Sequence, residues 1–106
     1  MNRHAQVLVF GKPAGYLQES ADGFEFGYDQ AYLSQPHSQP VSLTLPLRPE
    51  PYRSQMVPAF FSGLLAEGAL AETQCRSLRV DEHDTFGRIL ATCRDTIGAV
   101  TVEPRP

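Results

Sequence analysis

Metal ligation and proton transfer call for His, Cys, Asp or Glu, and these types crowd together at Asp81-Glu82-His83-Asp84. Four consecutive residues cannot all face one ion. Acids just ahead of a helix instead satisfy its first N–H groups and complement its dipole, so Asp84 is read as a helix cap. His4 and His37 have no second ligand at a recognisable spacing. Cys75 and Cys93 each fall on the apolar face of an expected helix, the place of small core residues rather than of a disulfide or a nucleophile. Gly11-Lys12 lacks the spacing and the following Ser or Thr of a phosphate loop, and reads as a hairpin turn. Glu67 and Glu72 form an acid pair only if something brings them together, and the sequence offers nothing that does. There is no nucleophile elbow and no kinase catalytic loop. The chain is therefore expected to be no enzyme, with no metal and no cofactor.

A chain of 106 residues, 42% of them hydrophobic, is the size of one domain, residues 1–106, with a modest core. Its net charge of -3 and pI near 5.5 argue against a broad basic surface and hence against direct nucleic-acid binding. Seven of the nine basic residues nevertheless lie at or beyond Arg48. Arg76 and Arg79 share a helical face and Arg94 ends a helix, which leaves three readings: solvated surface, contact with an acidic partner, or phosphate. The apolar run Gln6–Phe10 is too short for a signal peptide, and no stretch is long enough to span a bilayer. A cytoplasmic protein with reduced thiols and no membrane partner is the expectation.

The elements that would position these residues follow from periodicity. In VPAFFSGLLAEG, Val57, Phe60, Phe61, Leu64 and Leu65 fall at i, i+3, i+4, i+7 and i+8. That spacing predicts a central helix from Val57 to Gly68, with Pro58 at its first position. Gln6–Phe10, Tyr16–Ser20 and Phe24–Tyr28 read as a three-stranded meander. Its turns are expected at residues 11–15 and at Asp22-Gly23. Asp29–Leu33 suits a helical turn. Val41–Leu47 (VSLTLPL) alternates cleanly and predicts a fourth strand, followed by a loop over Arg48–Gln55. Ala69–Leu78 predicts a helix with Ala71, Cys75 and Leu78 on one face. Asp84 opens another, with Phe86, Ile89, Leu90 and Cys93 along one stripe, and Gly98–Glu103 reads as a last strand. The expected class is α+β: a small antiparallel sheet of about five strands, partly barrel-like, packed with two to three helices.

Four segments recur in order: Gly15-Tyr16-Leu17; Val41-Ser42-Leu43-Thr44-Leu45-Pro46-Leu47; Phe60-Phe61-Ser62-Gly63-Leu64-Leu65-Ala66-Glu67-Gly68; and Asp95-Thr96-Ile97-Gly98-Ala99-Val100. With Tyr52 in the intervening loop, they resemble the N-terminal subdomain of the HipA-type serine/threonine kinase toxins. That subdomain shows a strand ending in LPL, then FF-x-x-LLPEG, then D-x-x-GA before a strand. Ala66 departs from the usual proline, and Ala71 stands where many members carry arginine. The ATP-binding loop and catalytic Asp of those kinases lie in a longer C-terminal region that has no counterpart among these residues.

The resemblance thus implies a standalone, HipS-like domain of the three-component HipBST toxin–antitoxin systems. Its implied partner is a HipA/HipT-like kinase toxin, which it binds and neutralises, with a helix-turn-helix HipB-like DNA-binding protein as an indirect partner. The alternative is a scaffolding subunit that completes the kinase without inhibiting it. For either role the turn after the predicted central helix is the expected contact. The contact comprises that turn, Ala66, Glu67, Gly68, Ala69 and Leu70, together with Ser62 and Gly63 of the helix before it, where a rigid helix leads to an exposed apolar tip.

Overall fold

The computed structural model describes residues 3–65, 68–94 and 99–105, with the backbone alone at residues 68 and 69. Apolar residues alternating with polar ones lay down β1 (His4–Val9), β2 (Lys12–Ser20) and β3 (Gly23–Tyr28), and the short helix α1 (Gln30–Leu33) follows. A three-residue strand β4 (Tyr52–Ser54) precedes the helices α2 (Ala59–Ser62), α3 (Gly68–Leu78) and α4 (Thr85–Thr92), and β5 (Val100–Arg105) closes the order. The strands form one antiparallel sheet in the order β4-β3-β2-β1-β5. This is the α+β class that the pattern predicts, with four helices, two of them single turns, among the described residues.

The sheet is open, not barrel-like, and the chemistry of its edges shows why. On β5 the Val102 N–H donates outward to the Cys93 carbonyl at 2.8 Å, and Pro104, two residues on, has no N–H. A further strand has little to pair with there. At the other edge β4 is only three residues long, held by Phe26 stacked on Tyr52 at 6.2 Å and by Arg53 paired with Glu25 at 3.0 Å.

One face of the sheet carries the core. Ala5, Val7, Leu17, Phe26 and Val102 are buried from this side, and Phe61 of α2, Phe86 and Ile89 of α4 and Cys93 at the C-cap of α4 join them. α4 begins as predicted: the Asp84 carboxylate accepts from the Gly87 N–H at 3.1 Å. Its stripe follows the expected spacing, with Leu90 partly buried. α3 buries Ala71 and Cys75, whereas Leu78, expected on the same face, is half-exposed.

The β1–β2 turn is shorter than expected. It consists of Phe10 and Gly11 alone, both left-handed at φ 49 and 77, and Lys12–Gly15 already belong to β2. Positive φ at both positions is the signature of a type I′ turn, whose twist matches that of the strands. The conformation costs a non-glycine residue about 1–2 kcal/mol. β2 accommodates one extra residue by a bulge, Val7 facing Gly15 while Leu8 faces Pro13. Gly15 admits no larger residue, because a Cβ there would lie 2.1 Å from the Gly27 carbonyl oxygen on β3.

Two sequence expectations are overturned. Val41–Leu47 is not a strand. It folds as a β-turn, with Leu45 N–H donating to Ser42 O at 3.1 Å and the Ser42 hydroxyl accepting from Thr44 N–H at 3.2 Å. Such side-chain bonds compete with a ladder. Val41 and Leu45 are buried while Leu43, expected beside them, is 95% exposed. The fourth strand is instead Tyr52–Ser54, inside the stretch assigned to a loop. The central helix over Val57–Gly68 is likewise absent as a single element. α2 runs only from Ala59 to Ser62, with Pro58 at its N-cap rather than its first turn and Gly63 at its C-cap. Beyond it, Leu64 and Leu65 bond back by three residues, to Phe61 O and Ser62 O. Ser62 turns its hydroxyl back onto Ala59 O at 3.1 Å, and Gly63 is a poor helix former, so the helix stops there. The apolar stripe still does its packing: Val57 and Phe61 are buried, and Phe60, Leu64 and Leu65 press against the core.

Candidate partner-binding surface

The residues expected to contact a partner are spread over the end of α2 and the start of α3. Ser62 is half-buried and Gly63 exposed. Ala66 and Glu67 lie outside the described residues. Gly68 and Ala69 open α3 by their backbone, and Leu70 in its first turn is 60% exposed. The rigid helix imagined beneath this tip is a single turn, anchored by Phe61 at 5.2 Å from the Phe26 ring and 5.3 Å from Phe60. Leu70 is thus an apolar side chain left to solvent on a helix that buries Ala71 and Cys75.

Ser62 also faces residues that no spacing in the sequence associates with it. Together with Met56, Val57, His83, Thr85 and Phe86 it lines a groove of about 310 Å³ between α2 and the N-terminus of α4. Met56 is 75% exposed at its rim. Only its position beside the apolar Val57 hinted at this, and that was too weak a signal to single it out.

Asp84 also lines the groove, where its carboxylate is held by Arg3. The Arg3 guanidinium gives two bonds to Asp84, at 2.8 and 2.9 Å, and two to Glu19, at 2.7 and 2.9 Å, while its Cζ sits 5.4 Å from the centre of the Phe86 ring. These bonds from Arg3 hold both carboxyls below their ordinary pKa, and Glu19 and then Asp84 raise that of Arg3. Asp84 is thereby fully engaged as cap and ion-pair partner.

The remaining candidates stay apart. Asp81 accepts from the His83 N–H at 2.9 Å within a turn, and among the described residues no group of three or more His, Cys, Asp or Glu is placed to hold a metal. Cys75 and Cys93 are buried free thiols, and burial pushes the pKa of Cys93 up. Glu72 is exposed, as are Arg76, Arg79 and Arg94. Among the described residues, no helix is long and apolar enough to cross a membrane. Leu70 on α3 and Met56 ahead of α2 stand as exposed apolar side chains.

A small open antiparallel sheet with helices packed over one face defines the α+β class of this domain. The chain belongs to the HipA N-terminal domain family, whose profile matches residues 5–103. An uncharacterised protein of Haemophilus influenzae is 31% identical over 101 residues, covering 95% of this chain and 92% of that protein. Two putative kinases of Sinorhizobium fredii, Y4mE and Y4dM, are 28% and 32% identical, but the chain spans only 21% and 26% of their lengths. Among solved structures, an N-terminal domain of HipA toxin superposes with a TM-score of 0.72 at 26% identity, covering 98% of this chain and 93% of that one. The family is defined by the N-terminal domain of HipA, which is not the catalytic domain.

Proposed function

We propose that this protein is a HipS-like antitoxin, a single domain that binds and neutralises a HipA-family serine/threonine kinase in the cytoplasm. Inhibition by such a domain needs no chemistry of its own, only a surface complementary to one state of the kinase. The observation that carries the reading is the match of the HipA N-terminal domain along residues 5–103, combined with a relative of which the chain covers 92%. That relative, of which the chain covers 92%, supports the domain's acting in trans, with a helix-turn-helix HipB-like protein as an indirect partner. The contact is assigned to Ser62, Gly63, Ala66, Glu67, Gly68, Ala69 and Leu70.

The second reading is a scaffold that completes the kinase without inhibiting it. The Sinorhizobium putative kinases favour it, since they carry the matching stretch within a longer chain. Co-expression with a HipA-family kinase that lacks this subdomain separates the two, scored by co-purification, growth and phosphorylation in vitro. The antitoxin reading expects a stable complex, restored growth and suppressed phosphorylation, with Leu70→Asp weakening binding by about tenfold or more. A complex with undiminished phosphorylation establishes the scaffold, and no complex at all overturns both.

A further inference from the structure

The β1–β2 hairpin tip carries an apolar side chain that folding does not explain. A type I′ turn favours Asn or Gly at its first position, yet Phe10 stands there at φ 49 with 73% of its surface exposed. Among the described residues two others besides glycine hold positive φ, His37 at 63 and Arg79 at 57. Arg79 ends a helix, where that conformation is ordinary. Phe10 and His37 line the same recess of about 140 Å³, together with Lys12, Pro36 and Gln39. Strained residues gathered at one exposed site point to a use outside the fold. No carboxylate lines the recess, although the chain as a whole carries a net charge of -3.

We propose that this hairpin tip is a second partner-contact surface, taking an acidic segment that also bears an apolar side chain. A carboxylate of that segment meets the Lys12 ammonium and the His37 ring, and its apolar neighbour packs on Phe10 and Pro36. The inference rests on the reading above, that the partner is a HipA-family kinase, and adds where else it is gripped. The groove beside Ser62 includes Phe24, next to the β2–β3 turn, whereas Phe10 sits at the other end of β2. Nine residues of strand place the two surfaces roughly 27 Å apart. Contact at both ends fixes the orientation of the domain on its partner, which one contact alone does not.

The test uses the full chain and the kinase, with Phe10→Asn, which suits the left-handed turn, and Lys12→Glu at an exposed position. Melting temperature and the Kd for the kinase are read for each. Phe10→Asn is expected to raise the melting temperature while weakening binding about tenfold, a pairing that a merely structural role does not produce. Lys12→Glu is expected to weaken binding by a similar factor with its melting temperature unchanged. If the natural chain binds and both variants bind within about twofold of it, this surface is overturned and the proposed function stands. If the natural chain itself does not bind, the proposed function falls and this surface with it.

Discussion

Tyr28 holds two segments with one hydroxyl. It accepts from the Val41 N–H at 2.9 Å and donates to the Leu45 carbonyl, so both ends of the Val41–Leu45 turn hang from β3. Its ring stacks on Tyr32 at 6.2 Å, and Tyr32 in turn bonds Gln39 through both its donor and its acceptor. Burial raises the Tyr28 pKa above its ordinary value. Tyr28→Phe leaves a buried N–H and a buried carbonyl without partners, and a loss of about 1–3 kcal/mol is expected in urea unfolding. The same change on a strand residue that bonds only to water is expected to be near neutral.

At the scale of elements, the helices are set more by their ends than by their middles. α4 has a side-chain cap, and α2 stops at Gly63 after a single turn. α3 ends in a Schellman arrangement: the Val80 N–H bonds Cys75 O at 2.9 Å and the Arg79 N–H approaches Arg76 O at 3.4 Å. The residue that must turn left-handed there is Arg79, at φ 57, where glycine is the usual choice. Arg79→Gly is therefore expected to stabilise the protein by up to about 1 kcal/mol, read as a raised thermal midpoint. An unchanged or lowered midpoint would show that the arginine side chain contributes more than the strain removes.

Across the whole molecule, Arg3 joins parts that are distant in the chain. It links β2 through Glu19 to the start of α4 through Asp84, a residue 81 positions away. Glu19 and Asp84 have folded pKa values below their ordinary ones. The stability they contribute is present above the unfolded values near 4, and is lost as pH falls through the folded values. Unfolding free energy is therefore expected to drop on acidification below about pH 4, with Arg3→Met flattening that slope. Near neutral pH the same substitution is expected to lose only about 1 kcal/mol, since the Arg3 side chain is 36% exposed and the pairs are partly screened. Chemical denaturation over a pH series measures both effects.

The sequence by itself determined the α+β class, the β1–β3 meander, the helical turn after Asp29, both later helices and the Asp84 cap. Each rests on a local cause: alternation of period two, a stripe of period 3.6, or an acid just ahead of a helix. It also named Leu70 as an exposed apolar residue near the expected contact. Tertiary structure decided the rest. Alternation in VSLTLPL was outweighed by a turn that Tyr28 pins from a distant strand, and three residues around Arg53 became a strand because β3 offered an edge. The groove beside Ser62 and the recess beside Phe10 each gather residues from separate elements. Periodicity is a property of neighbours along the chain, whereas a hydroxyl reaching across thirteen residues or a strand edge awaiting a partner depends on where the fold brings them.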